Sequence, residues 1–279
     1  MTQPMTDGTQ QHRVAGPRSV SELRIKPGQS FGSSGLMGAV EGALADPAHR
    51  EYVVAGRVVL SVDGRPLRTI ITGRRTLVTG AYASRKAGRA QVFESMVEHD
   101  FFMLCEVDTK VVDYRAQPFR FEFALAGRWR TYIADCVRLM DDGVIEVVEL
   151  KSDRRYLDDP DYRAKLEGVR QLCDLLGWRF SVVLRRHLDK CPIRKRNIEL
   201  VQQDRLTALD DGHIYQVVEA LAGGAASFED IVYALGCGQK GGAILRGMMV
   251  ARIVEIDLVR PLSGESVVRL LRFGAGAGQ

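Results

Sequence analysis

Asp135, Glu149 and Lys151 stand in two short apolar runs, IADCVRLM and VIEVVELK, joined by Asp141-Asp142-Gly143. Such runs beside a turn signal predict the two strands of a hairpin. A three-residue loop with Gly143 in the left-handed position pairs Met140 with Val144. Asp135 then falls opposite Glu149, and Ile133 opposite Lys151. Directly paired residues share a face and side chains alternate along a strand, so the three charges point to one side. The rest of that face is Val137, Leu139, Ile145 and Val147, which suits packing under a helix. A two-residue loop would shift the register and send Asp135 and Glu149 to opposite faces.

Two carboxylates about 5 Å apart repel, and partial burial raises the cost of ionising both. Protonation of one, or a cation between them, relieves the repulsion. Oxygen ligands of this kind suit magnesium or manganese. A bound divalent ion lowers the pKa of its water and neutralises charge building on a phosphate. An ammonium beside it can orient the attacking water and stabilise the phosphate oxygens. The chemistry indicated is phosphodiester hydrolysis. The plainer alternative, an exposed edge hairpin with a salt bridge, is disfavoured by the apolar strands and the shared face.

The elements around the hairpin must hold this face dry. Val92, Phe93, Met96, Val97, Phe101 and Leu104 recur at helical spacing and predict a helix over Ser84–Cys105, with Ser84 as its cap. Glu94 and Glu98 lie one turn apart on it, Glu98 at the margin of the apolar arc near Phe101, Phe102 and Cys105. Strands are predicted at Lys110–Gln117, Phe119–Leu125, Arg130–Leu139 and Val144–Lys151. Asp159-Pro160 opens a helix through Leu176 that Gly177 ends, and Trp178–Leu184 is a further strand. This order predicts an α/β domain with a mixed sheet. Residues 51 to 79 predict two or three short strands. After residue 196 come helices at Gly212–Ala222, Ser227–Leu235 and Gln239–Ala251, then strands at Arg252–Leu258 and Ser266–Arg272. Three helices and a hairpin match either a winged helix or a small accessory unit.

The 279 residues are 46% apolar and 27% charged, a globular composition. No run approaches the roughly 20 apolar residues of a membrane span, and the first residues lack a signal-peptide core. Five dispersed cysteines, at 105, 136, 173, 191 and 237, argue against a disulfide framework or a zinc site and fit a reducing cytoplasm. The five histidines show no ligand spacing, and Gly236-Cys237-Gly238 reads as a turn rather than a phosphate loop. Net charge is only +4, but basic residues cluster in two runs. The first includes Arg74, Arg75, Arg85, Lys86 and Arg89. The second includes Arg185, Arg186, Arg194, Lys195 and Arg196. Flanking the acidic hairpin, they are candidate contacts for a polyanion such as DNA.

Asp135 followed by Glu149-Leu150-Lys151, after a glutamate-bearing helix, resembles the core of the PD-(D/E)XK nuclease superfamily. More narrowly, FESMVEHDFFMLCEVDTKVVDYRAQP and the hairpin YIADCVRLMDDGVIEVVELKSD resemble the TnsA family of transposon endonuclease subunits, over roughly residues 84 to 190. The resemblance implies a restriction-endonuclease-like mixed sheet flanked by helices, with magnesium held by Glu98, Asp135 and Glu149 and with Lys151 as the catalytic lysine. Glu94 is the reserve for Glu98, and Gln117, in a Gln-Pro pair, is expected near the site. It also implies cleavage at the 5′ ends of a transposon, a DDE-type recombinase partner, an ATP-dependent regulator and a winged-helix-like C-terminal domain. The expected organisation is a mobile tail over 1–35, an accessory region over 36–83, a nuclease domain over 84–195 and the C-terminal domain over 196–279. A restriction or repair nuclease of the same fold, and a non-catalytic DNA-binding scaffold, are the rival readings.

Overall fold

A computed structural model describes residues 9–14, 35–45, 56–61 and 78–271. In chain order the elements are β1 (Thr9–Val14), α1 (Gly35–Ala45), β2 (Gly56–Ser61), β3 (Gly80–Ser84), β4 (Arg89–Phe93), α2 (Met96–Val107), β5 (Val111–Ala116) and β6 (Phe119–Leu125). There follow β7 (Arg128–Ile133), β8 (Cys136–Met140), β9 (Ile145–Lys151), α3 (Pro160–Leu175), β10 (Arg179–Leu184), α4 (Arg185–Leu188) and α5 (Pro192–Gln203). The chain ends with α6 (Asp211–Ala220), β11 (Ala226–Ser227), α7 (Phe228–Leu235), α8 (Lys240–Val250), β12 (Val254–Ile256) and β13 (Val267–Leu270). β1 lies inside the stretch expected to be a tail. Of the strands expected over 51–79, β2 is described, whereas residues 62–77, with Arg74 and Arg75, lie outside the described residues.

The chain divides into two compact units. The first comprises residues 1–81, 92–98 and 113–185, and the second residues 82–91, 99–112 and 186–279. The first unit carries two four-stranded sheets, ordered β1-β2-β6-β7 and β10-β9-β8-β5. In the latter, β8 and β9 are antiparallel while β9 and β10 are parallel, linked by α3. This is the mixed α/β sheet that the order of elements predicts, and it is consistent with the restriction-endonuclease-like sheet that the resemblance implies.

The β8–β9 register is the expected one. Cys136 faces Val148, Val137 faces Val147 and Leu139 faces Ile145. The loop closes by Met140 N–H to the Val144 carbonyl (3.0 Å) and Gly143 N–H to the Met140 carbonyl (3.0 Å), with Gly143 at φ +82°. A side chain at that φ would be strained, which is why glycine sets the loop length. Val137, Ile145 and Val147 are buried in one core with Leu36, Met37 and Val40 of α1 and Leu166, Val169 and Leu172 of α3. Asp159 caps α3, accepting from Asp161 N (2.9 Å), Pro160 occupies its first turn, and Gly177 follows at φ +69°.

Two expectations fail. Arg130–Leu139 is not one strand. β7 pairs with β6, Ile133 facing Arg120, and the chain changes sheets at Ala134-Asp135 before β8 begins. Ile133 therefore does not pair with Lys151. Nor does Ser84 open a helix. Residues 80–93 form the β3–β4 hairpin, whose turn Ser84 holds by accepting from Ala87 N (3.0 Å) while it donates to Glu106 (2.7 Å). Helix α2 starts instead at Met96. Ser95 caps it by accepting from Glu98 N (3.3 Å), and the Glu98 carboxylate reaches back to Glu94 N (2.8 Å). Ser95-Met96-Val97-Glu98 thus closes the start of α2 as a variant of the capping box, in which Glu98 meets the Glu94 N–H and the Ser95 hydroxyl rather than the Ser95 N–H.

The second unit contains the helices expected after residue 196, and α5, which the sequence reading did not anticipate. β11, β13 and β12 form a three-stranded antiparallel sheet there. Among the described residues no helix is long and apolar enough to cross a membrane.

Candidate active site

Where β8 begins at Cys136, β9 continues past it and leaves the Leu150 N–H without a ladder partner. The Asp135 carboxylate takes that place, accepting from Leu150 N at 2.8 Å. Its Oδ2 also lies 3.7 Å from Lys151 Nζ. Glu149, only 2% exposed, is held from three sides. Tyr132 of β7 donates to Oε2 at 2.6 Å, and Tyr162 of α3 and Lys151 both donate to Oε1. Lys151 Nζ also reaches the Leu150 carbonyl (3.2 Å). The structure thus brings Asp135, Glu149 and Lys151 together around one ammonium.

The charges of this grouping do not balance. Burial and then the Glu149 charge push the Asp135 carboxyl well above its ordinary range; Lys151 and the Leu150 N–H only partly oppose them, and Glu98 adds to the rise. Burial works against a charged Lys151, yet Glu149 and Asp135 outweigh it and hold the ammonium protonated. Burial also raises Glu98, against its bonds from Glu94 N and Ser95 Oγ, with Glu94 raising it further and Lys151 lowering it. One ammonium therefore faces more than one carboxylate in a partly dry site. The excess is negative and the donors are oxygens, which fits a hard divalent cation.

Glu98, 8% exposed, has both carboxylate oxygens engaged in the capping box. Among the described residues no three His, Cys, Asp or Glu side chains gather tightly enough to hold a metal. Asp135 and Glu149 are the carboxylates that share Lys151, with Glu98 near enough to feel its charge but not drawn in. Glu94 is joined to this group through its backbone N–H on Glu98.

Gln117 sits where β5 gives way to β6 in the other sheet, as Asp135 sits where β7 gives way to β8. Its N–H donates to the Asp135 carbonyl (3.4 Å), its φ is +47°, and its side chain is buried with Oε1 lacking a partner. A non-glycine residue in that region is strained, and the two sheet changes hold it there.

Residues 108–185 match the family model described as TnsA-like endonuclease N terminal. This segment is a TnsA-like nuclease domain. The match takes in Gln117, Asp135, Glu149 and Lys151, together with Tyr132 and Tyr162, but ends short of Glu94 and Glu98. No curated protein matches the chain. The residues that the TnsA-like segment adds to the sequence reading are the two tyrosines. No local signal marked them, because each reaches Glu149 from a different element. The capping role of Glu98 was readable as Ser-x-x-Glu, and was hidden by extending the helix back to Ser84.

The basic candidates divide sharply. In the first unit Arg185 is half-buried at the end of β10. In the second unit Arg186, Arg194 and Arg196 are exposed, Arg89 is half-buried, and Lys195 bridges Asp100 (3.3 Å) and Asp189 (2.8 Å). Arg85 donates to the Thr207 carbonyl at 2.6 Å. Lys86 is spent inside the unit, donating to the carbonyls of Cys105 (2.9 Å) and Asp108 (2.6 Å) at the end of α2. It is a helix-end clamp rather than a surface cation.

Burial lowers the Lys86 pKa to about 8, despite the nearby Glu106 and Asp108. The folded state therefore resists its protonation. That cost is fully present below pH 8 and is relieved as pH rises toward the unfolded value of 10.5. Between those limits, wild type is expected to gain on the order of 2 kcal/mol relative to Lys86→Met, as denaturant unfolding at both pH values would reveal. A gap that does not change with pH would refute the assignment.

Proposed function

We propose that this chain is the DNA-cleaving subunit of a heteromeric transposase, hydrolysing phosphodiester bonds at the 5′ ends of a transposon. The observation that carries the reading is the pairing of Asp135 with Glu149 around Lys151 within a TnsA-like nuclease segment. Asp135 and Glu149, with Glu98 as the third candidate ligand, would hold magnesium or manganese, which supplies an activated water and charge neutralisation at the phosphate. Leu150 N–H fixes the Asp135 carboxylate, and Tyr132 and Tyr162 fix that of Glu149. Lys151 would orient the attacking water and stabilise negative charge on the phosphate oxygens. Hydrolysis leaves a 5′-phosphate and a 3′-hydroxyl.

Arg186, Arg194 and Arg196, exposed on the second unit, are the basic residues best disposed to meet the DNA backbone. The order of α6, β11, α7, α8 and a β12–β13 hairpin supports a winged-helix-like reading of the C-terminal segment. A DDE-type recombinase would cut and join the other strand, with an ATP-dependent regulator in the same assembly.

The test is cleavage of a plasmid bearing the transposon ends, with the recombinase and regulator present. Cuts at the 5′ ends should appear with magnesium and vanish with EDTA. Cutting that persists in EDTA, or no 5′ cut in the complete assembly, would reject the proposal. Glu98 is tested separately by Glu98→Gln. Glutamine serves in a capping box, so stability should stay within about 0.5 kcal/mol of wild type. Cleavage should fall at least about tenfold with the loss of a ligand charge. Unchanged cleavage would leave Glu98 as a cap alone.

A further inference from the structure

The second unit holds another group of chemically competent side chains, independent of the carboxylate site. Asp210 caps α6 through Oδ1, which accepts from His213 N at 2.8 Å. Its Oδ2 lies 2.8 Å from His213 Nδ1, a close approach that stops short of a formed hydrogen bond. The far ring nitrogen, Nε2, is 3.3 Å from Cys237 Sγ. Cys237 follows α7, and its Sγ also lies 3.2 Å from the Leu235 carbonyl. It stands between Gly236 (φ +63°) and Gly238 (φ +56°), in the turn that leads into α8. Cys237 is half-buried and so within reach of a small reagent, whereas Cys105, Cys136 and Cys173 are buried.

We propose that Cys237 is a reactive thiol, with His213 as its base and Asp210 orienting the ring, and that it is a site of covalent modification by small disulfides and soft electrophiles. With the ring proton on Nδ1, facing Asp210, Nε2 is bare and takes the thiol proton. The sulfur then attacks one sulfur of the disulfide. A new S–S bond joins Cys237 to that half, the old S–S bond breaks, and the other half leaves as a thiolate that recovers the proton from the imidazolium. No outside oxidant is needed beyond the disulfide itself. The competing account is that Sγ–H merely satisfies the Leu235 carbonyl at the end of α7, in which case His213 adds nothing to its reactivity.

The two accounts separate in a labelling experiment on the full chain. The folded protein is pulsed with iodoacetamide, and separately with a symmetric aromatic disulfide, and each cysteine peptide is quantified by mass spectrometry. Cys191, also half-buried, is the internal reference. Cys237 should react about tenfold faster than Cys191 at neutral pH. His213→Gln should slow Cys237 on the order of tenfold without moving Cys191. Asp210→Asn, which keeps a competent helix cap, should slow it by a smaller factor. If His213→Gln fails to fold, Cys105 and Cys173 will become labelled, and Asp210→Asn then carries the test. A Cys237 rate no greater than that of Cys191, or one indifferent to the substitutions in folded protein, overturns the proposal.

Discussion

Asp135→Asn is expected to lower cleavage by about a thousandfold or more, with no loss of stability. The two halves of this expectation rest on different atoms. Charge stabilisation by a bound divalent ion is worth several kcal/mol, and about 4 kcal/mol corresponds to a thousandfold in rate. Asparagine removes the charge that such an ion needs. It keeps a carbonyl oxygen where Asp135 accepts from Leu150 N, so the end of β9 is not left with an unpaired buried donor. The ionised aspartate is itself costly in the metal-free protein, because burial and Glu149 raise its pKa from 3.8 to about 7. The sign follows from linkage. Below 3.8 the side chain is neutral in both folded and unfolded chains and costs nothing. The penalty accumulates as pH rises from 3.8 toward about 7, where the unfolded chain has lost the proton and the folded one still holds it, and is complete above that. Asp135→Asn should therefore be more stable than wild type at pH 8 by about 1 kcal/mol, with the advantage gone at pH 3. Cleavage assays with magnesium, and denaturant unfolding in chelator at both pH values, check the two halves. Cleavage within about tenfold of wild type would remove Asp135 from the catalytic group.

Where local chemistry dictates geometry, the sequence was a sufficient guide. Asp141-Asp142-Gly143 fixed the loop length, and the loop fixed the register of β8 against β9, with Cys136 facing Val148. Asp159-Pro160 and Gly177 bounded α3 for the same reason. The reading failed where a residue's fate depends on a partner far along the chain. Val92, Phe93, Met96 and Val97 satisfy a helical spacing, yet Val92 and Phe93 belong to β4, because Ser84 and Gly88 close a hairpin that Glu106 supports from α2. The break at Ala134-Asp135 is marked by no Gly or Pro, yet the chain bends at Asp135 and changes sheets there. That break is nonetheless what frees Leu150 N–H for Asp135. Lys86 was legible as a positive charge but not as a buried clamp, because the carbonyls it serves belong to the end of α2. Tyr132 and Tyr162 were illegible for the same reason: an aromatic residue in a strand or on a helix reads as core until the buried carboxylate it serves is found.

Tyr132→Phe is accordingly the sharper probe of the carboxylate pair, and it is expected to cost about 2 kcal/mol of stability and about ten- to a hundredfold in cleavage. The ring stays the same shape, so no cavity term contributes. What is lost is one hydroxyl, which donates at 2.6 Å to an oxygen of a carboxylate that is 2% exposed. Water has little access to take its place, and a buried ionised acceptor left short of a donor costs more than a neutral one. Glu149 keeps Tyr162 and Lys151 on its other oxygen, so the carboxylate would be drawn toward them and out of alignment with Asp135. Burial, then the Glu149 charge, push the Tyr132 phenol well above its ordinary range, so it remains a donor throughout the pH range of the assay. Tyr162→Phe should cost less, because Tyr162 is only half-buried and Lys151 remains on the same oxygen. The cause can be isolated in a Glu149→Gln background, where no ionised carboxylate needs the hydroxyl. There the cost of Tyr132→Phe should shrink to about 1 kcal/mol or less. An equal cost in both backgrounds would mean that the hydroxyl serves packing rather than the charge of Glu149, and the tyrosine would leave the site.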